Sequence, residues 1–320
     1  MTIYRAQHWG MCFGVRDAIA LARSEASRGP LTVLGDLVHN PVVIEDLQRR
    51  GVITERRLDA IATERVMITA HGTSDRTLGA LQARGHRVLE ATCPLVHHAH
   101  KALSELVRDG CHPVVIGQRN HVEVLGMTGN YDAFDVVLTE DDVERLLPRP
   151  RFGIVSQTTQ PQDRVRYLVV LIQKRFPASE VVARDTVCRP TRERQSAAEE
   201  LAQGSDVVVV VGGMHSNNTQ ELASTCARWC ARVHRVQGSG DVDPRWFREP
   251  DRVGLTAGTS TPDEVFRAVE ERLEGIALTL QSENTREDGR SSEFLPPGWL
   301  AGRSTSVSTR EVCGALPGKH

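Results

Sequence analysis

Lysine is almost absent from this chain. Only Lys101, Lys174 and Lys319 are lysine, and the other basic residues are arginines scattered along the whole length. That scatter forms no basic patch, and we read it as codon bias. An excess of either charge is missing as well: 39 Lys and Arg stand against 41 Asp and Glu, a net charge of -2. Nucleic-acid and membrane-surface proteins usually carry a basic excess, so neither partner is expected. Long apolar runs are missing too. The longest, Val207–Val211, is far short of the roughly 20 residues of a membrane span. The start, Met1-Thr2-Ile3-Tyr4-Arg5, has no apolar segment after a basic one, as a signal peptide would. A soluble, cytoplasmic protein is expected. The seven cysteines are odd in number and widely spaced, with no paired C-x-x-C motifs, which excludes a secreted disulfide scaffold and gives no local zinc motif.

What is present is ordinary globular material: 320 residues, 40% hydrophobic and 25% charged, enough for two domains or three small ones. Short β-branched runs alternate with amphipathic stretches. The runs include Thr32–Leu34, Val66–Thr69, Val114–Ile116, Gly153–Val155, Val207–Val211 and Val253–Leu255. Helical periodicity marks Val15–Ala26, Ala99–Val107, Arg164–Phe176, Arg192–Ala202 and Pro262–Leu273. This alternation predicts an α/β fold of parallel βαβ units. Ligands in such folds bind beyond the carboxyl ends of the strands. The loops at those ends are rich in Ser, Thr, Asn and His, notably 38–40, 70–74, 117–123, 156–159, 212–219 and 256–261. Singly, such residues are ordinary helix caps; together they predict a shared polar site. Residues 281–320 lack an apolar period and read as a disordered extension, with Cys313 a bystander.

Position sorts the cysteines better than spacing. Cys12, Cys93 and Cys188 each fall where a strand gives way to a helix, 81 and 95 residues apart. Three βα lobes of similar size, each donating one thiolate, would follow. Helix-start N–H groups are expected to favour the thiolate form. Three thiolates suit either a zinc site or an iron–sulfur cluster with one iron left open. Cys111 precedes its strand and lies at the opposite sheet edge, while Cys226 and Cys230 read as packing residues on one helix face.

The motifs Gly10-Met11-Cys12-Phe13-Gly14-Val15, Val38-His39-Asn40, Ala70-His71-Gly72, Ala91-Thr92-Cys93-Pro94, His121-Val122-Glu123, Gln157-Thr158-Thr159, Asp185-Thr186-Val187-Cys188, Ser216-Asn217-Asn218-Thr219 and Ala257-Gly258-Thr259-Ser260 occur in this order. The set resembles the 4-hydroxy-3-methylbut-2-enyl diphosphate reductases, the LytB/IspH family, from about residue 3 to 276. The resemblance implies a three-lobed, pseudo-threefold trefoil with small, mostly parallel sheets around a central iron–sulfur cluster. Its lobes would be residues 13–93, 94–184 and 185–276, with strand 1–12 packing centrally and a tail from 277 to 320. It also implies reduction of the hydroxymethylbutenyl diphosphate to isopentenyl and dimethylallyl diphosphates. Cys12, Cys93 and Cys188 would hold one 4Fe-4S cluster whose fourth iron binds the substrate hydroxyl. Glu123 would lie in proton delivery, with His121 and Thr158 positioning the hydroxyl. His39, His71, Ser216, Asn217, Asn218 and Ser260 would form the diphosphate site. An external ferredoxin- or flavodoxin-type donor would supply the electrons.

These roles make chemical sense. Loss of hydroxide from an allylic alcohol needs a nearby acid, which Glu123 supplies if burial raises its pKa. The diphosphate motifs hold no Lys or Arg, leaving imidazoles, hydroxyls, amides and helix starts for the anion. Two stretches depart from the resemblance. Trp9, Met11 and Phe13 change the bulk beside the first cysteine, and Met214-His215 stands where the family often has a lysine. A quinolinate-synthase-like dehydratase shares three lobes and three cysteines. A non-enzymatic metal or cluster sensor would need the three ligands alone.

Overall fold

The structure, a computed structural model, describes residues 1–38 and 40–291, with side chains described to residue 282. The chain opens with β1 (Thr2–Arg5) and α1 (Phe13–Ala26). Then come β2 (Leu31–Leu34), α2 (Pro41–Arg49), β3 (Val52–Glu55), β4 (Arg65–Ile68), α3 (Asp75–Ala83) and β5 (Arg87–Glu90). The second stretch runs α4 (Pro94–Arg108), β6 (His112–Ile116), α5 (Val122–Thr128), β7 (Asp135–Val137), α6 (Glu140–Glu144), β8 (Arg151–Ser156), α7 (Gln162–Arg175) and β9 (Glu180–Ala183). The third holds α8 (Arg189–Gln203), β10 (Val207–Val211), α9 (Asn217–Ala227), β11 (Val233–Val236), β12 (Arg252–Ala257) and α10 (Asp263–Ser291).

These strands form three four-stranded sheets, ordered β3-β2-β4-β5, β7-β6-β8-β9 and β11-β10-β12-β1, with every pairing parallel. The α/β class and the three-lobed plan follow. The same order repeats in each sheet, and the last place goes to β5, β9 and β1. Those three edge strands share one burial pattern, exposed at both ends and half-buried between. Each runs into one of the three junction cysteines. The N-terminal strand, expected to pack centrally, joins the sheet of the third lobe. It completes the edge of the third sheet, Thr2 to Arg5 pairing with Arg252 to Leu255. Polar residues at both of its ends suit a strand with one open edge.

Parallel strands covered on both faces read as unbroken apolar runs, and β10 shows why. All five of its valines are fully buried. Val207, Val209 and Val211 pack with Phe266, Val269 and Leu273 of α10, while Val208 and Val210 pack with Ala198 and Ala202 of α8 and Leu222 of α9. The second sheet divides likewise: Val115 and Val155 face Leu103 and Leu106 of α4, and Val114 and Ile154 face Leu168 and Ile172 of α7. Such two-sided cover leaves the carboxyl ends of the strands as the place for polar side chains. Helix α10 continues past residue 277 to Ser291; the rest of the expected tail, 292–320 with Cys313, lies outside the described residues.

Candidate active site

Each junction cysteine is the N-cap residue of a helix, Cys12 for α1, Cys93 for α4 and Cys188 for α8, and none uses its side chain as a cap. Asn40, Ser74 and Ser216 behave differently, their side-chain oxygens accepting the N–H groups of Val42, Thr77 and Thr219. The three thiols thus carry no capping duty. All three are half-buried and free of disulfides. Cys93 and Cys188 both interact electrostatically with Cys12 and with Glu123, so the separate lobes bring these groups into one field. Gly14 gives the first loop room beside the second cysteine, since a Cβ there would stand 2.6 Å from Cys93 Sγ. Among the described residues, no three His, Cys, Asp or Glu side chains converge on a single metal ion.

For Cys93 and Cys188 the expected preference for thiolate is reversed in the folded chain. Burial pushes the Cys93 thiol up despite the N–H groups of Leu95 and Val96. It pushes Cys188 up to about 11, against hydrogen bonds from Thr191. Desolvation therefore outweighs the helix start here. A metal held by these thiols would restore the balance, because a coordinating thiol is deprotonated outright.

Glu123 sits in the first turn of α5 and is 2% exposed. Its Oε1 accepts the Thr158 N–H at 2.7 Å, and the Thr158 side chain also bonds to it. Both contacts favour the carboxylate, yet burial prevails and raises its pKa to about 7. An acid with that value is matched to proton transfer near neutrality. His121 caps the same helix, its Nδ1 accepting the Glu123 N–H at 3.2 Å. In the neutral ring the proton is then on Nε2. The His71 ring meets His121 edge-on, centroids 5.5 Å apart, joining the first lobe to the second. His71 is held in turn by Thr69 Oγ1, 3.3 Å from its Nδ1 and from its backbone nitrogen.

The third lobe contributes the start of α9. Asn218 Oδ1 accepts the Thr259 N–H at 2.9 Å. Asn217 bridges lobes instead: its Oδ1 accepts from Gln118 at 2.5 Å, and its Nδ2 donates to Thr159 Oγ1 at 3.4 Å. The Ser260 hydroxyl and the Thr219 hydroxyl are buried without a hydrogen-bond partner among the described residues. Added Cβ atoms on Gly212 and Gly258 would fall 2.4 and 2.3 Å from Thr219 Oγ1, so only glycine lets both loops close on this helix start. His39 lies outside the described residues.

Cys111 is buried just before β6, at the opposite end of its sheet. Cys226 and Cys230 are buried in one cluster beneath α8. Cys230, however, lies beyond the end of α9 at Ala227 rather than on its face. Trp9 stacks on Phe266 at 3.7 Å, Met11 packs on the first lobe, and Phe13 is exposed. Sequence reading missed three residues: Gln118, Thr191, whose hydroxyl is 3.1 Å from Cys188 Sγ, and the buried Arg194. Thr191 had a signal, lying three residues past Cys188 on the helix it opens; Gln118 had none. Two surface clefts, one lined by Glu140, Leu171 and Lys174 and the other by Gln162, Arg192 and Gln195, contain none of the site groups.

Residues 3–274 match the LytB protein family. The 4-hydroxy-3-methylbut-2-enyl diphosphate reductase of Aquifex aeolicus is 34% identical over 277 residues, 85% of this chain and 95% of that protein. The enzyme of the same name from Geobacter sp. is 36% identical over 280 residues, 86% of this chain and 98% of that one. Among solved structures, the E-1-hydroxy-2-methyl-but-2-enyl-4-diphosphate reductase of Plasmodium falciparum superposes with a TM-score of 0.78 at 25% identity, covering 83% of this chain and 86% of that chain. A second, described as an (E)-4-hydroxy-3-methyl-but-2-enyl diphosphate reductase and the terminal enzyme of the non-mevalonate pathway, gives 0.62 at 33% identity, covering 86% of this chain and all of the other.

Proposed function

The chain belongs to the LytB family, and from that membership we propose that it is an oxidoreductase removing the hydroxyl of 4-hydroxy-3-methylbut-2-enyl diphosphate. Two electrons and two protons enter, the allylic C–O bond breaks, and water leaves with isopentenyl or dimethylallyl diphosphate as the organic product. This is the last step of the non-mevalonate route to isoprenoids.

Cys12, Cys93 and Cys188 would hold one 4Fe-4S cluster. Their freedom from capping and from disulfides fits that duty, as does the space Gly14 leaves beside Cys93. When bound, the cluster supplies electrons and an open iron as Lewis acid toward the substrate hydroxyl. Glu123 holds the proton for the departing oxygen, its carboxyl fixed by the Thr158 N–H and its pKa near neutrality. Thr158 and His121 orient the hydroxyl and carry the proton onward.

For the diphosphate, His39, His71, Ser216, Asn217, Asn218 and Ser260 form the binding set. The unpartnered Ser260 hydroxyl suits an anion acceptor, as do the first-turn N–H groups of α9. Ser216 still has its hydroxyl proton to donate while its oxygen caps the helix. Asn217, with both ends of its amide engaged, holds the second lobe against this helix start and offers its backbone N–H. An external one-electron protein of ferredoxin or flavodoxin type supplies the electrons, and the cytoplasm is the compartment. Among the described residues no helix is long and apolar enough to cross a membrane.

The observation that carries this reading is the buried, pKa-raised Glu123 in the same electrostatic field as three uncommitted thiols. A metal sensor needs the thiols alone and leaves that acid without a use. Anaerobically purified protein is expected to be brown and to consume the diphosphate with a strong reductant. Paramagnetic resonance of the reduced protein should change when substrate is added. A colourless, zinc-loaded protein without turnover after cluster reconstitution would overturn the reading.

A further inference from the structure

Arg194 on α8 is 7% exposed, and among the described residues it has no carboxylate partner. Its Nε and Nη2 donate to the Gly10 carbonyl at 3.1 and 2.7 Å, and its Nη1 donates to the Pro190 carbonyl at 2.9 Å. Gly10 lies two residues before Cys12, and Pro190 two residues after Cys188. One guanidinium therefore ties the first cysteine loop to the helix that the third cysteine opens. Gly10 is pinned from the other side as well: its N–H donates to the Ala257 carbonyl at 3.2 Å, and its φ of 71° needs glycine. Neighbouring charges do little to neutralise Arg194. Glu193 pairs with Arg189 at 2.6 Å, and the strongest Coulombic influences on Arg194 come from Cys12 and Cys188.

A buried cation without a counter-ion is expensive. Guanidinium keeps its proton in proteins, so it does not escape that cost by neutralising. The compensating negative charge has to arrive with whatever deprotonates the cysteines. We propose that Arg194 is the fixed counter-charge of the three-cysteine centre and raises its reduction potential, besides holding the Cys12 loop in register.

This rests on the iron–sulfur reading above and deepens it. The oxidised centre with its thiolates is already anionic. One electron from the external donor adds one more negative charge, with no bond made or broken. A cation held in a water-poor site favours the more negative, reduced form. Among the described residues Arg194 donates its hydrogen bonds to backbone carbonyls, so it is a positioning and electrostatic residue.

The test is a redox titration of the reconstituted protein, followed by the paramagnetic signal of the reduced cluster. Arg194→Gln is expected to lower the reduced-to-oxidised ratio at a fixed potential by on the order of tenfold, about 59 mV for a one-electron couple. Arg194→Lys, which keeps the charge on a different reach, should fall between that and the wild type. Arg16→Gln removes an exposed cation that also contacts this loop, donating to the Met11 carbonyl at 3.3 Å; solvent screening should leave its midpoint almost unmoved. An unchanged midpoint in Arg194→Gln overturns the proposal, as does an equal shift in Arg16→Gln. If Arg194→Gln does not fold, Arg194→Met, which also removes the charge, decides, and a wild-type midpoint there overturns it. A wild type that takes up no cluster overturns the underlying reading and this inference with it. A cluster-bearing wild type with insensitive variants overturns this inference alone.

Discussion

Gly14 and Cys93, from the first lobe and its junction with the second, approach so closely that a methyl group on Gly14 would lie 2.6 Å from the cysteine sulfur and 2.9 Å from its Cβ. Gly14 also lies in the first turn of α1, where alanine is the better helix former by about 1 kcal/mol. The two effects separate cleanly. Gly14→Ala should leave the helical circular dichroism intact while displacing Cys93. Iron bound per chain after anaerobic reconstitution should fall several-fold. Full iron content in this variant would show that the close approach has no bearing on the centre.

Glu123 gives a prediction in pH. Its carboxyl moves from an ordinary 4.5 to about 7 on folding, because burial disfavours the charge. The folded chain therefore binds more protons than the unfolded chain between those values. The stability linked to this group is complete below pH 4.5 and is lost as pH rises through 7. The shift corresponds to about 3 kcal/mol. Glu123→Gln keeps an oxygen acceptor for the Thr158 N–H and has no charge to bury. Urea unfolding of the variant should show it gaining on the wild type from pH 5 to pH 8, with turnover abolished and the cluster spectrum kept. Parallel stability profiles would mean that the acid is not held neutral by burial.

Much of this was legible in the chain. The central strands of each sheet follow from local apolar runs, and each cysteine could be placed at a strand-to-helix junction, so the three-lobed plan could be inferred without coordinates. The edge strands β3, β7 and β11 were not among the apolar runs: each is three or four residues long, and β3 and β11 bury a single side chain apiece. The pairing of Thr2 with Arg252 joins opposite ends of the chain, and no local pattern records it. The same is true of the amide pair Gln118 and Asn217, 99 residues apart. The Cys188 thiol failed the expectation for a different reason: helix starts are visible in sequence, while desolvation is not.

Cys226 and Cys230 test the sorting of cysteines by position. Both are buried against α8 and the third sheet, and Cys226 is fully so. Replacement by alanine removes one sulfur from a packed site, at a cost of about 1 kcal/mol. Iron content and turnover should match the wild type, and the denaturation midpoint should fall slightly. Loss of iron in either variant would place a cluster ligand outside the strand-to-helix junctions.

Ser216 and Ser260 have different duties, and alanine at each should separate them. The Ser216 oxygen caps α9 by accepting the Thr219 N–H at 3.3 Å. Ser216→Ala should therefore lower stability by about 1 kcal/mol as well as weaken substrate binding. The Ser260 hydroxyl is buried and has no partner among the described residues. A buried hydroxyl left unpaired costs stability, so Ser260→Ala should leave the unfolding midpoint unchanged or raise it. A hydrogen bond to a charged group contributes about 1.5–3 kcal/mol, so KM for the diphosphate should rise roughly ten- to hundredfold. Because the hydroxyl is assigned to the diphosphate rather than to the reacting oxygen, kcat should change far less than KM. A Ser260→Ala enzyme with unaltered KM would remove this residue from the anion site, whatever its stability.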